Sequence, residues 1–432
     1  MTSPLRIGVA GLGTVGVGVL QILEGHAGLL ADRAGRPLVA AAVSARERNR
    51  DRGVDLSAVR WYDDPTAMAA DPEIDVVVEA IGGSDGVARA VCEQAIASGK
   101  SVVTANKALL ALHGEGLARA AEAKGVSLAY EAAVAGGIPI IKGLRDGLAA
   151  NRVSTVFGIL NGTCNYILTE MRDSGREFGE VLADAQRLGY AEADPSFDVD
   201  GVDAAHKLTL LAGLAFNGLA DFDTLHVEGI RHVSALDIAF ADELGYRIKL
   251  LGIAHRLAEG VELRVHPCMV PAGAPIAMVE GVFNAVVAKG DFVGEVMMVG
   301  PGAGRGPTAS AIVADLVDLA RGFAAPTLGT PARGLERLVP VPMDRRRGAY
   351  YVRLMVVDRP GVIADVTRLL RDEDISMESF LQHGRAPGDA VPVVMTTHET
   401  AEAAMRRALE AIGALDAVLE PPRMIRIETL AA

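Results

Sequence analysis

The sequence has few cysteines and few aromatic residues. Its three cysteines, Cys92, Cys164 and Cys268, are too few and too scattered for a disulfide framework or a zinc cluster, so we expect a reducing compartment. Aromatic residues make up 4% of the chain, whereas half of it is hydrophobic. The core must therefore consist mainly of Ala, Val, Leu and Ile, which favours helix-covered parallel sheets over an all-β sandwich.

The sequence also lacks long hydrophobic runs and an excess of positive charge. The N-terminal MTSPLRIGVAGLG has no signal-peptide core, and no uncharged apolar run reaches about 18 residues. Lys and Arg total 42 against 55 Asp and Glu, giving a net charge of −13. This charge opposes general binding to nucleic acid or to an anionic membrane. We expect a cytoplasmic protein without either partner, in which any phosphate site is local.

The chain length predicts several domains. At one domain per about 150 residues, 432 residues divide into roughly three units. Residues 1–130 repeat a short apolar strand, a turn and a helix, which predicts a doubly wound parallel sheet of the Rossmann type. Residues 131–300 predict a second α/β unit, residues 326–347 a linker, and residues 348–432 a βαββαβ unit of ferredoxin-like order.

A glycine-rich motif follows the first predicted strand. Strand LRIGVA runs into GLGTVG, in which Gly11 allows a tight turn, Gly13 a close approach of backbone to pyrophosphate, and Gly16 close helix–strand packing. Thr14 and Val15 fall at the helix N-terminus, where free N–H groups bind anions. The motif predicts a dinucleotide site. The alternative is that the glycines serve only a turn.

The end of the second strand bears on the choice of cofactor. An NAD site normally has an Asp or Glu there, which accepts from the ribose 2′-hydroxyl. This chain has Ser44 and Arg46, with Arg48 and Arg50 close behind. A hydroxyl and guanidinium groups suit a 2′-phosphate, so we prefer NADP to NAD. The alternative is that these arginines belong to a solvated loop.

Further residues follow the next two strands. EAIGG, which contains Gly82, ends one strand, and Thr104 to Lys107 ends the next. Ligands of doubly wound sheets bind at this carboxyl edge. We therefore assign Gly82, Thr104 and Lys107 to the cofactor site, with Lys107 near the nicotinamide. Taken alone, Lys107 has the alternative interpretation of a solvated charge.

An acidic segment precedes an apolar helix. Five carboxylates lie within residues 192–203, too many to be explained by a helix start and a surface ion pair alone. Asp203 and Lys207 are four residues apart and share one helix face. A buried Asp can hold such a Lys in place for acid–base chemistry.

Two loops offer other ligands. Residues 158–166, GILNGTCNY, present N–H groups and hydroxyls suited to a small carboxylate. Residues 131–139, EAAVAGGIP, form a Gly-rich turn that could direct carbonyls toward a monovalent cation, with Glu131 supplying charge. A plain crossover between domains is the alternative for the second loop.

Together these motifs resemble homoserine dehydrogenase, in the bacterial form that carries a C-terminal ACT regulatory domain. GLGTVG, EAIGG, TANKALL, EAAVAGGIPII and GILNGTCNYIL stand in the family's order. GYAEADPSFDVDGVDAAHKL followed by GPGAGRGPTASA is the most specific part. The family reduces L-aspartate 4-semialdehyde reversibly to L-homoserine with NAD(P)H, in threonine and methionine biosynthesis.

The resemblance implies roles for the acidic and basic residues. Lys107 and Lys207 would be catalytic proton donors and acceptors, with Asp203 orienting Lys207. The motif leaves open which lysine transfers the proton. The substrate would be bound by residues of the acidic segment and of the first loop. These are Glu192, Asp198, Thr163, Gly162 and Tyr190.

The resemblance also implies a cation site and a discontinuous first domain. Sodium would be bound by carbonyls of Val134, Gly136 and Ile138, with Glu131 nearby. Residues 131–300 would bind substrate and form a dimer, and residues of about 301–325 would return to the nucleotide-binding domain. There Gly302 and Gly304 of GPGAG would lie beside the cofactor.

The last unit resembles an ACT domain. Asp358 and Gly361, in the DRPG turn, would bind an amino-acid effector, which in this family is usually threonine. The alternative is a unit retained only for dimerisation, and the assembly would be a homodimer or homotetramer. Two other functions compete: another amino-acid or 2-oxo-acid oxidoreductase, and a non-catalytic amino-acid sensor.

Overall fold

The structure is a computed structural model that describes residues 3–383 and 388–429. Its N-terminal unit alternates strands and helices. The elements are β1 (Leu5–Ala10), α1 (Thr14–Gly25), α2 (Ala27–Ala34), β2 (Leu38–Ser44), β3 (Arg60–Tyr62), α3 (Pro65–Ala70), β4 (Val76–Glu79), α4 (Val87–Ala97), β5 (Ser101–Thr104), α5 (Lys107–Lys124) and β6 (Leu128–Ala129).

These strands form a parallel sheet in the order β3-β2-β1-β4-β5-β6. This is the Rossmann order, in which the strand order reverses between β1 and β4 and a crevice opens there at the carboxyl ends of the strands. Strand β4, VVVE, is buried throughout because helices cover both faces of the sheet. The predicted fold class is confirmed; the short strand β3 was not predicted.

The middle unit packs helices on an antiparallel sheet. Its elements, with the helix that follows it, are α6 (Ile140–Lys142), β7 (Val153–Ile159), α7 (Gly162–Ser174), α8 (Phe178–Arg187), α9 (Ser196–Val199), α10 (Val202–Phe216), β8 (His226–Val227), α11 (Ala235–Glu243), β9 (Tyr246–Arg256), β10 (Val261–Pro271), β11 (Phe283–Gly290), β12 (Gly294–Pro301) and α12 (Arg305–Ala320).

Helix α12 returns to the N-terminal unit. Leu20 and Leu23 of α1 share one buried cluster with Ile312 and Leu316 of α12. The helix begins at Arg305, ahead of the amphipathic run AIVADLVDLARGF that indicated it. Proline is tolerated in its first turn because the N–H groups there lack intrahelical partners.

The C-terminal unit contains β13 (Arg347–Val357), α13 (Val362–Asp372), β14 (Met377–Gln382), β15 (Ala390–Thr397), β16 (Thr400–Ala401), α14 (Glu402–Gly413) and β17 (Arg423–Ile427). Its strands run in the order β17-β13-β15-β14. Apart from the short β16, the chain order is the predicted βαββαβ.

The middle and C-terminal units share one sheet. Strand β17 pairs in parallel with β10, and Cys268 lies opposite Arg426. The described strands therefore continue from β12 through β11, β7, β9 and β10 into the C-terminal unit. The sequence predicted two units joined by a linker, without this shared edge.

The predicted linker, residues 326–347, is packed against the rest of the chain. Leu328, Ala332 and Leu335 are buried in one cluster with Ala118 of α5. The linker backbone also bridges to the start of β10. It therefore fixes the C-terminal unit in place and does not act as a flexible tether.

Within residues 3–383 and 388–429, no single helix has the length and apolarity to cross a bilayer. Only α1 and α2 taken together have that length and apolarity, and they bend by 82° at the break between them.

Candidate active site

A cavity of about 580 Å³ lies where the carboxyl edge of the parallel sheet meets the middle unit. It brings together residues from motifs that are far apart in the chain. The predicted site residues that line it are Val15, Lys107, Gly136, Gly162, Thr163, Tyr190, Glu192, Asp198, Asp203, Lys207, Gly302 and Gly304.

Two lysines share one carboxylate at this cavity. Lys207 Nζ donates to Asp203 Oδ2 at 2.6 Å, and Lys107 Nζ lies 3.0 Å from Asp203 Oδ1. The Asp203 side chain is 5% exposed, that of Lys207 10% and that of Lys107 31%. The structure thus places two ammonium groups from different units against one buried anion.

Local structure positions each lysine. Lys207 lies one turn after Asp203 on α10, and its Nζ also donates to the Leu160 carbonyl at 2.7 Å. Lys107 is the first residue of α5. That helix is capped by Asn106, whose Oδ1 accepts from the Leu109 N–H at 3.1 Å.

The charges explain the protonation state of Asp203. Burial opposes its ionisation, but the ammonium groups of Lys207 and Lys107 outweigh burial and hold the pKa of Asp203 well below its ordinary value. Asp203 therefore remains an anion at all physiological pH values and holds both amines.

Asn161 connects Asp203 to a second carboxylate, and the sequence analysis did not identify it. Its Nδ2 donates to Asp198 Oδ1 and to Asp203 Oδ2, each at 2.8 Å. Burial and the charge of Asp203 raise the pKa of Asp198. The available signal was an Asn at the strand-to-helix turn, where its Oδ1 caps α7 by accepting from the Cys164 N–H.

Asn284, on β11, is a second residue that the sequence analysis missed. It lines the cavity, and its Nδ2 donates at 3.0 Å to the same Leu160 carbonyl that binds Lys207. Antiparallel pairing of β11 with β7 brings Asn284 to this carbonyl. No local sequence signal indicated this contact.

The predicted substrate-binding residues all line the cavity. The Thr163 hydroxyl donates to the Tyr190 carbonyl at 2.7 Å, which joins the loop after β7 to the acidic segment. Glu192 is exposed, so its carboxylate is free to meet a solvated ligand.

The dinucleotide loop has the geometry that its glycines predict. Gly11 has φ +97, and a Cβ on Gly16 would lie 1.9 Å from the Gly11 carbonyl oxygen. A Cβ on Gly13 would meet nothing within 4 Å. The N-terminus of α1 has no side-chain cap. This loop therefore fits a pyrophosphate on the free N–H groups of α1.

Several predicted residues lie outside the cavity lining. Thr104 is fully buried, and its hydroxyl donates to Glu79 Oε2 at 2.5 Å. Ser44 is buried at the end of β2, where its carbonyl accepts from the Gly11 N–H at 2.9 Å. The others outside the lining are Gly11, Gly13, Thr14, Gly16, Arg46, Gly82, Glu131, Val134 and Ile138.

Glu131 has a structural role that the sequence did not reveal. Its carboxylate accepts from the Ile141 N–H at 2.8 Å and the Lys142 N–H at 2.9 Å. Its own N–H donates to Asp315 Oδ2 at 2.9 Å. Burial and the charge of Asp315 raise the pKa of Glu131 to about 7.

The predicted effector turn lies between β13 and α13. Gly361 has φ +96 and precedes the first residue of α13, so the turn requires a glycine there. The Asp358 N–H donates to the Asp389 carbonyl at 2.9 Å, which ties this turn to the start of β15.

The Rossmann-type unit and the paired lysines at its carboxyl edge define the class of protein: a nicotinamide-dependent oxidoreductase. The particular family follows from comparison with known proteins. A homoserine dehydrogenase family model matches residues 139–317, the NAD-binding domain model of that family residues 11–131, and an ACT domain model residues 350–417. The chain belongs to the homoserine dehydrogenase family, as its motifs predicted.

Individual relatives match over the full length. The chain is 47% identical to the homoserine dehydrogenase of Pseudomonas aeruginosa and 44% identical to that of Neisseria gonorrhoeae, over 99% of each chain. A crystal structure of a homoserine dehydrogenase from Thiobacillus denitrificans matches with a TM-score of 0.93 and 47% identity, covering 99% of both chains. The S. aureus enzyme at pH 7.5 matches with a TM-score of 0.78 and 30% identity, covering 99% of this chain and 100% of that one.

Proposed function

We propose that the protein reversibly reduces L-aspartate 4-semialdehyde to L-homoserine with NADPH, in threonine and methionine biosynthesis. The observation that carries this proposal is the pair of lysine amines that contact one buried carboxylate in the cavity at the carboxyl edge of the parallel sheet. Bound NADPH supplies the hydride. The chain's own residues must then donate the proton to the substrate oxygen, or accept it in the reverse direction.

The lysines provide that proton chemistry. In the oxidation direction, a neutral lysine amine accepts the hydroxyl proton of homoserine as hydride leaves the carbon. In the reduction direction, an ammonium polarises the aldehyde and stabilises the forming alkoxide. Asp203 holds both amines through the cycle because its own ionisation persists.

Both lysines remain candidates for the transfer. Lys207 is fixed by two acceptors, Asp203 and the Leu160 carbonyl. Lys107 is more accessible, and its Nζ lies 5.5 Å from the centroid of the Phe197 ring. The proposed roles therefore divide between a buried amine and a more exposed one, and either can donate to the substrate oxygen.

Two carboxylates of the cavity suit the amino end of the substrate. We assign the substrate ammonium to Glu192 and Asp198, assisted by Thr163, Gly162 and Tyr190. Support comes from their common placement along the cavity.

The preference for NADP rests on the loop after β2. Within the described residues, Arg46, Arg48 and Arg50 are exposed and their side chains make no ion pair or hydrogen bond. Their guanidinium groups are therefore free to bind a 2′-phosphate. No carboxylate ends β2, where an NAD site would place one.

Homoserine oxidation tests the proposed function. With purified protein at alkaline pH, L-homoserine is expected to drive reduction of NADP, and of NAD less efficiently, as a rise in absorbance of the nicotinamide. If homoserine causes no rise in absorbance with either cofactor, the non-catalytic sensor is favoured. A faster rise with other hydroxy or amino acids would favour the alternative oxidoreductase.

We also propose a sodium ion on the carbonyls of Val134, Gly136 and Ile138, beside Glu131. The support is a turn with positive φ at Ala135 and Gly136, and a buried acidic pair, Glu131 and Asp315. The hydrogen bonds of Glu131 to two N–H groups leave further lone pairs for a cation. Lys142 Nζ already lies 3.1 Å from Asp315 Oδ1, so a cation there would chiefly compensate Glu131.

Exchanging the cation tests this site. Replacing sodium with tetramethylammonium at constant ionic strength is expected to lower both the melting temperature and homoserine oxidation of the wild type, because the larger ion cannot enter a carbonyl cage. In Glu131→Gln the sodium dependence is expected to disappear. A wild type indifferent to the exchange contradicts the site.

We propose that the ACT domain binds threonine at Asp358 and Gly361 and regulates the enzyme. Support comes from the open space at Gly361, where a Cβ would meet nothing within 4 Å. Millimolar threonine is expected to raise the melting temperature and lower activity, and Gly361→Val to abolish both effects. Unchanged activity and melting temperature would leave the ACT domain a structural unit.

We further propose a homodimer or homotetramer assembled through the middle unit. The support is a group of exposed apolar side chains at the β11 and β12 end of the shared sheet, including Phe283, Phe292 and Val299. Exposed apolar groups of this kind commonly mark protein interfaces. Light scattering reports the mass of the assembly directly.

A further inference from the structure

An ion pair connects the ACT domain to the middle unit at the shared sheet. Arg426, on β17, is 3% exposed, and its Nη1 donates to Glu228 Oε2 at 2.8 Å while its Nη2 donates to Glu228 Oε1 at 2.9 Å. The same guanidinium binds Glu402 of the ACT domain through Nε at 3.1 Å. This two-point geometry fixes the orientation of Glu228 as well as its distance.

The segment that begins at Glu228 packs directly on the acidic segment. The Ile230 N–H donates to the Val199 carbonyl at 2.8 Å. A Cβ on Gly229 would lie 2.1 Å from that carbonyl oxygen and 2.5 Å from Asp200 Cα. The two backbones are therefore in contact, and one cannot shift without the other.

A further contact joins the same two segments. Arg231 donates to Asp200, and its Nη2 donates to Ser196 Oγ at 2.9 Å. Residues 228–231 thus bind both ends of the short helix α9. Asp198 lies within α9, and its side chain faces the cavity.

We infer that the Glu228–Arg426 pair is a positioning device for the proposed reaction: through residues 228–231, the ACT domain holds the backbone of α9 and so places Asp198 against the substrate. Glu228 and Arg426 are positioning residues, because neither lines the cavity. The inference rests on the proposed substrate-binding role of Asp198. It gives the ACT domain an effect on catalysis that needs no effector.

A second ion pair across the same interface, in which both side chains are buried, provides a control. Arg353 Nε donates to Asp237 Oδ1 at 2.6 Å, and the Tyr351 hydroxyl donates to the same oxygen at 3.0 Å. Asp237 lies on α11. Among the described residues, neither Asp237 nor Arg353 bonds to residues 196–203, so this pair stabilises the interface without holding α9.

The experiment compares full-length Glu228→Gln, Arg426→Lys and Asp237→Asn with the wild type. Glu228→Gln is expected to raise the KM for homoserine about tenfold, with the KM for NADP unchanged within about twofold, because ground-state substrate binding is lost. Arg426→Lys keeps the charge but cannot bind at two points, so its increase is expected to be smaller. Each residue also has a partner of its own, His226 for Glu228 and Glu402 for Arg426, so the KM effect of the double variant is expected to be less than the product of the two single effects.

Asp237→Asn is expected to lower the melting temperature while leaving the KM for homoserine unchanged. A KM in Glu228→Gln within about twofold of the wild type would overturn the inference. An equal increase in KM in Asp237→Asn would also overturn it, because the effect would then come from general loosening of the interface. If Glu228→Gln does not fold, the test is the KM for homoserine in Arg426→Lys compared with that in Asp237→Asn. A wild type that fails to oxidise homoserine would instead refute the proposed function.

Discussion

Lys207→Met is expected to lower kcat for homoserine oxidation about 10³-fold, while NADPH affinity, measured by fluorescence titration, stays close to that of the wild type. Lys207 Nζ is held by Asp203 and by the Leu160 carbonyl at the cavity, so its removal takes away a fixed proton donor and acceptor. Methionine fills similar space without a charge. Cofactor contacts lie on the other unit and should persist.

Lys249→Met is the matched control. Lys249 is also buried, with Nζ donating to the Val279 carbonyl at 2.6 Å, and burial lowers its pKa to about 8. It lies outside the cavity, so its loss should lower the melting temperature and leave kcat nearly unchanged. Lys107→Met, assayed in parallel, identifies which amine transfers the proton. A Lys207→Met enzyme with more than about a tenth of wild-type kcat would remove Lys207 from that role.

Asp203→Asn is expected to lower kcat about 10²- to 10³-fold. Asparagine keeps the shape but removes the anion that both amines contact, so neither amine is held by an ion pair at the cavity. The measurement is kcat for homoserine oxidation, for the variant and the wild type.

Stability supplies a second readout for Asp203. Because its pKa in the folded protein is lowered, its contribution to stability is present above its ordinary pKa and is lost as pH falls through the folded value. Asp203→Asn should therefore be less stable than the wild type at neutral pH, and the difference should shrink in strong acid. A kcat within about twofold of the wild type would show that Asp203 does not hold the amines for the reaction.

The sequence was sufficient where local patterns determine structure. Alternating apolar strands and helices predicted the parallel sheet, and GLGTVG predicted the turn between β1 and α1. The spacing of Asp203 and Lys207 predicted their contact, since residues four apart share a helix face. The motifs around them were specific enough to indicate the family.

Contacts between distant segments could not be predicted. Asn161 was visible only as part of a loop, and its donation to two carboxylates depends on how α9 and α10 fold back onto it. Asn284 reaches Leu160 through the pairing of β11 with β7. Nothing in the residues near either asparagine encodes that partner.

The join between the middle unit and the ACT domain was missed for the same reason. Parallel pairing of β10 with β17 depends on docking of a whole domain, and short strands carry no signal for such partners. Arg353 and Arg426 lie on β13 and β17, and no residue near either of them in the sequence indicates its carboxylate partner. Their carboxylate partners lie on elements far away in the sequence.

A crystal structure with NADP and homoserine bound tests the central claim most directly. The account predicts the homoserine hydroxyl oxygen within hydrogen-bond distance, about 3 Å, of Lys207 Nζ or Lys107 Nζ, with the second amine no more than about 6 Å from it. A hydroxyl oxygen farther than about 6 Å from both amines, with the two units closed around the ligands, would contradict it.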